Sequence, residues 1–128
     1  MPAIHETVMQ GKRAERVGAL IQEEVSQLLL RSVKDPRIGF VTVTRVKMTD
    51  DLLHATIYIS MVQAEEPQRQ EALIGLKSAT GFLRGELTRR LGLRYAPALL
   101  FLLDRSAEEE QHLAELFRQI ETDQSREQ

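Results

Sequence analysis

Residues 76–97 read LKSATGFLRGELTRRLGLRYAP, and the fold turns on whether this stretch is one helix or two. Leu73, Leu76, Phe82, Leu83, Leu87 and Leu91 recur at helical spacing and predict an apolar side. Gly81, Gly85 and Gly92 interrupt the pattern. A glycine inside a helix costs about 0.8–1 kcal/mol relative to alanine, so these positions call for a reason. The same stretch concentrates charge: Lys77, Arg84, Arg89, Arg90 and Arg94 stand against Glu86 as the only acid. Backbone N–H groups at a helix N-terminus placed near these residues would add to their attraction for an anion. Such donors favour phosphate, and arginine adds a planar fork that binds two of its oxygens.

Working outward, residues 12–32 read as a helix with Val17, Leu20, Ile21, Val25, Leu28 and Leu29 on one stripe. Pro36 ends it and restricts Asp35 before it. FVTVTRVKM (40–48) and HATIYISMV (54–62) are rich in β-branched residues with period-two alternation, joined by the polar TDDLL as a hairpin. Val41 and Val43 are out of phase with Val46 and Met48, which predicts a bulge near Thr44 and Arg45. Pro67 suits the first turn of the next helix. ALLFLL (98–103) is continuously apolar and reads as a strand buried on both faces. SAEE (106–109) has capping-box spacing and opens a last helix carrying Leu113, Leu116, Phe117 and Ile120. A hairpin followed by a helical crossover to a third strand implies an α+β fold, with the helices on one face of a three-stranded sheet.

Composition limits the functions available. The chain has 128 residues and no cysteine, which excludes disulfides and thiolate chemistry and makes a cytoplasmic location the expectation. No run approaches the length of a membrane-spanning helix, and no signal-peptide core is visible. His5, His54 and His112 are scattered without metal-ligand spacing. Asp50, Asp51 and His54 read as hairpin-turn residues. No nucleophile elbow, phosphate-binding Walker loop or dinucleotide fingerprint occurs, so neither an enzyme nor a cofactor is expected.

The net charge of −2 conceals an asymmetry, because residues 1–105 carry +3 and residues 106–128 carry −5. A mildly basic body points to a polyanion, and the acidic end can compete for the basic surface. Beside the residues of the opening stretch, Lys12, Arg13 and Arg16 form a second basic group, and Lys34 and Arg37 lead into the first strand with Arg45 and Lys47. Aromatics are only 5% of residues and show no evident exposed pair for stacking bases, so phosphate contacts are expected to dominate.

The predicted order α-β-β-α-α-β is that of a type II KH domain, with Ala79-Thr80-Gly81 where a GxxG loop would clamp nucleotide backbone. The stretches RVGALIQEEVSQLLLRSVKDPRIGFVTVTRVKMTDDL, HATIYIS, LKSATGFLRGELTRRLGLRYAPALLFLLDRS and EEE, spanning residues 16–110, resemble the ribosome-binding factor A family of bacterial small-subunit assembly factors. KDPR, the ATG junction followed by FLR, and LRYAP with FLLD carry the likeness through their order and spacing.

Residues 1–11 show no clear period and read as a flexible N-terminus, and residues 121–128 read by composition as a disordered acidic tail. The resemblance implies a KH-like RNA-binding domain over residues 12–120 between them. The resemblance also implies a non-catalytic factor that binds the free 30S subunit and its precursor and supports 16S rRNA maturation and growth in the cold. The residues demand nothing beyond a monomer, and no cofactor, metal or membrane is expected. Ala79 and Gly81 match the family's kink. Ribosomal proteins and an assembly GTPase are further expected partners. The competing reading is a protein-interaction module of the same fold, docking on such a protein through its apolar sheet edge without touching rRNA.

Overall fold

The computed structural model describes residues 2–62 and 64–127, with side chains over 11–62, 64–106 and 109–123. The chain order is α1 (Pro2–Arg31), β1 (Thr42–Met48), β2 (His54–Ser60), α2 (Glu66–Leu91), β3 (Ala98–Leu103) and α3 (Ser106–Glu127). The strands form one sheet in the order β1-β2-β3, with β1 and β2 antiparallel and β3 parallel to β2.

One face of that sheet carries the core. Ala55, Ile57 and Ile59 point inward from β2, flanked by Met48, Val46 and Val43 of β1 and by Leu99, Phe101 and Leu103 of β3. Ile21, Val25 and Leu28 of α1 and Leu76, Leu83 and Leu87 of α2 close over them. Burial of each such side chain is worth about 1.5–3 kcal/mol, and this face is where the fold is decided. The expected bulge is present: the register slips between Val43 and Arg45 and leaves Thr44 unpaired. Gln22 of α1 donates its amide to the Thr44 carbonyl at 3.3 Å, satisfying an acceptor that the slip exposes.

Several boundaries differ from expectation. α1 begins at Pro2, ten residues before the expected start. Proline favours the first helical turn, and residues 3–10 contain nothing that ends a helix. α3 runs to Glu127, through the expected acidic tail, where Glu, Gln and Arg are good helix formers. Ser106 is already helical, so capping falls to Asp104, whose Oδ1 accepts the Ser106 N–H at 3.0 Å. Leu20 lies outside the buried stripe. No helix among the described residues is long and apolar enough to cross a membrane.

Two corrections matter more. β3 is buried on one face only: Leu100 and Leu102 are 56% and 40% exposed, because among the described residues no layer covers the outer face of the sheet. The break expected at Gly81 is absent, and α2 is one helix from Glu66 to Leu91. Its ladder tolerates the glycines because the inner side packs without interruption. Thr80 and Ser78 return their hydroxyl protons to the carbonyls of Lys77 and Ile74, at 2.8 and 3.1 Å. Such back-bonding favours a bend within a continuous helix. The true stop is Gly92, at φ 63°, whose N–H caps the Thr88 carbonyl.

Candidate nucleic-acid interface

The sequence places five basic residues on one strip, and the folded helix separates them. At about 100° per residue, Lys77 and Arg84 share one flank of α2 while Arg90 lies on the other. The contacts agree. Arg84 donates from Nε to the Pro97 carbonyl at 2.9 Å and from Nη2 to the Ala96 carbonyl at 3.1 Å, tying α2 to the entry of β3. Arg90 reaches Glu24 of α1 at 3.3 Å and Glu86 at 3.0 Å. Arg84 is therefore a structural strut and Arg90 an inter-helix tie. Hydrogen bonds from Arg90 and then Arg89 hold the Glu86 carboxyl below the usual range, and Glu86 in turn raises Arg90. Lys77 and Arg89 remain exposed about 120° apart around the helix, with Arg89 paired to Glu86.

Between those flanks runs a crest of small residues, Ser78, Gly81 and Gly85, facing solvent. A Cβ added at Gly81 or Gly85 would meet nothing within 4 Å. Packing therefore does not explain these glycines. Gly75 is the contrasting case: a Cβ there would lie 2.9 Å from Ile38 Cγ1 and 3.3 Å from Arg37 Cβ. Phe82, expected in the core, borders the crest and is 48% exposed.

The remaining basic residues fall into three places. Arg13 of α1 joins Arg94 and Tyr95 around a groove of about 530 Å³ that Asp50, Asp51, Leu52 and Gly92 also line. The Arg94 guanidinium stands 5.3 Å from the centre of the Tyr95 ring. Lys12 and Arg16 are exposed on α1 nearby. Asp51 is occupied as a turn residue, accepting the Thr49 hydroxyl at 2.6 Å and the Leu53 N–H at 3.0 Å, which lowers its pKa. Lys34 and Arg37 are remote from this groove, at the other end of the sheet. Arg37 closes back on Asp35 at 2.6 Å, and that hydrogen bond holds Asp35 below the usual range. No cluster among the described residues has the makings of a metal site.

The end that holds Arg37 also carries an apolar surface that the sequence did not disclose. Gly39, at φ 59°, turns the chain so that Phe40 is 98% exposed between two grooves. Leu30, at 79%, borders one groove and Val62, at 71%, the other. Period-two patterning had assigned Phe40 and Val62 to strands, and both lie just beyond the strand ends. The only available signal was the glycine before Phe40.

Comparison with known proteins adds an independent line. The family model described as Ribosome-binding factor A matches residues 13–117. The ribosome-binding factor A of Geobacter metallireducens is 45% identical over 109 residues, covering 85% of this chain and 92% of its own. That of Prochlorococcus marinus is 47% identical over 113 residues, covering 87% and 79%. The crystal structure of ribosome-binding factor A from Thermus thermophilus superposes with a TM-score of 0.61 at 27% identity, over 73% of this chain and 98% of that one. A homology model of the Thermus thermophilus protein, fitted into the cryo-EM map of its complex with 30S, gives 0.59 at 27% identity over 72% and 96%.

Proposed function

The chain belongs to the ribosome-binding factor A family, and on that premise we propose that it is a non-catalytic assembly factor that binds the free small ribosomal subunit and its precursor through rRNA. The fold is the KH-like α+β fold of that family. Maturation of 16S rRNA and growth in the cold are the processes it serves, from the cytoplasm and as a monomer.

The observation that carries the reading is the open crest of α2. Glycines inside a helix weaken it, and here no neighbour requires them. What they supply is access, since a partner's backbone can approach where no side chain stands. Lys77 on one flank and Arg89 on the other supply charge for phosphates on either side of that approach. The RNA backbone lies along the crest in this reading, and Phe82 offers an exposed ring beside it for an unpaired base. Arg94 and Arg13 extend the positive surface around the hairpin-end groove.

A second reading has its own observation. Leu30, Phe40 and Val62 form an apolar end rimmed by polar groups, the kind of surface that docks a protein. A ribosomal protein or an assembly GTPase is the occupant it would fit.

Co-sedimentation with purified small subunits across a salt series separates the two. With Lys77, Arg89 and Arg94 as the phosphate-facing cations, log affinity is expected to fall against log salt with a slope of roughly −2 to −2.7. Lys77→Glu with Arg89→Glu should remove most of that binding. Binding that ignores salt and survives the reversal, yet is lost in Phe40→Ser, would transfer the contact to protein and overturn the rRNA reading.

A further inference from the structure

α3 is an amphipathic helix whose apolar stripe is uncovered among the described residues. Leu113, Leu116, Phe117 and Ile120 recur on one side, and every described side chain of the helix is exposed. Most helical stability in a folded protein comes from packing such a face. The sheet has the matching deficit. Leu100 and Leu102 of β3 are exposed on its outer face, beside Tyr58 of β2. The run ALLFLL is apolar on both faces, yet the fold covers only one.

Charge matches as well. Arg45 and Lys47 of β1 share the outer face, cross-strand from Tyr58 and Thr56, and the Arg45 guanidinium lies 4.0 Å over the Tyr58 ring. α3 carries Glu109, Glu110, Glu115, Glu121 and Asp123 around its apolar stripe. Reach is sufficient. Only Asp104 and Arg105 separate β3 from α3. At 1.5 Å per residue, positions 113–120 lie roughly 10–21 Å along the helix. A six-residue strand such as β3 is about 20 Å long, so an antiparallel return lays the stripe along it.

We propose that α3 is a strap that closes over the outer face of the sheet, its apolar stripe on Leu100, Leu102 and Tyr58 and its acidic flank against Arg45 and Lys47. The arrangement in the structure is the open form. Asp104 is anchored, accepting the Thr44 hydroxyl at 2.7 Å and the Ser106 N–H. The pivot is therefore Arg105, which is exposed and ion-paired to Glu66 at 2.6 Å in the open form. Closure screens the basic sheet face with the most acidic segment of the chain. It leaves the crest of α2, on the opposite side of the sheet, open. The strap therefore decides whether a second surface, basic and apolar, is available, independently of the crest.

The absence of cysteine makes this chain directly testable. Leu100→Cys with Leu116→Cys probes closure, and Leu53→Cys with Leu116→Cys, which uses the far hairpin, is the control. All three positions are exposed, and circular dichroism verifies the fold. In dilute protein with oxidised glutathione, the first pair should form an intrachain disulfide ~10-fold faster than the control. Adding Lys47→Glu should slow it roughly two- to threefold. Equal rates for the two pairs would overturn the strap. So would disulfides that form only between chains and accelerate with protein concentration, which would assign both surfaces to a second copy. No ribosomal subunit enters the assay, so its outcome stands apart from that of the rRNA reading.

Discussion

Gly75 and Gly81 lie on the same helix and answer to opposite demands. Gly75 is buried under the KDPRIG turn, where Ile38, Arg37 and Asp35 leave no room for a side chain. Gly81 looks into open solvent, where any side chain would fit. Read as letters, both are helix-weakening glycines in one element. The inner one is explained by this chain's own packing, and the outer one only by something that comes to the surface. The contrast extends to the charges. Arg84 and Arg90 tie α2 to the Pro97 carbonyl and to Glu24 of α1, while Lys77 and Arg89, the latter paired with Glu86 of its own helix, flank the open side.

The sharpest test of this contrast is at the inner position. Gly75→Leu forces the Ile38 turn away from α2 and should cost ~2–3 kcal/mol, read as a lower urea midpoint at unchanged slope. A neutral result would mean that the turn has somewhere to go and that the two glycines are alike. At the outer positions the sign should reverse. Gly81→Leu with Gly85→Leu relieves two helix-weakening residues and should raise stability by about 1 kcal/mol. The same pair should weaken binding to small subunits at least ~10-fold, or about 1.4 kcal/mol, by blocking the crest. A more stable variant that binds as well as the parent would leave the crest without a function.

The smallest effect concerns the anchor of α3. Asp104 is held at about 2 by the Ser106 N–H and then by the Thr44 hydroxyl. In the unfolded chain an aspartate titrates near 3.9, so between those values the unfolded state binds more protons. The stabilisation from Asp104 is therefore complete above about pH 4 and is lost as pH falls toward about 2. Asp104→Asn should lower the urea midpoint at neutral pH and flatten its dependence on pH in that window. Equal slopes for the two proteins would show that the anchor is not formed in solution.

Patterns that depend on near neighbours along the chain were legible. The phase change between Val43 and Val46 announced the bulge at Thr44, because side chains alternate strictly in a strand and an extra residue must reset them. Pro67 marked the start of α2, and Gly92 closes it. The break at Gly81 was misread because glycine weakens a helix without ending it. Leu76, Leu83 and Leu87, all buried, hold the ladder through the weak point. ALLFLL was misread because apolar letters state what a strand can bury and not what arrives to cover it. Arg84 looked like a phosphate ligand until the fold brought the carbonyls of Ala96 and Pro97 within its reach. The apolar end at Phe40 was hidden for a related reason, since its residues come from α1, the turn after it and the end of β2.

By itself the sequence determined the element types, the α+β class, the bulge, the absence of cysteine chemistry and the family. These rest on local propensity, period and ordered motifs, which need no partner from elsewhere in the chain. Only the tertiary structure decided which glycine packs and which lies open, which arginines are tied down, and that the outer face of the sheet and the stripe of α3 stand uncovered. Those properties depend on neighbours distant in sequence, and burial and charge pairing acquire a value only when the chain has folded to bring them together.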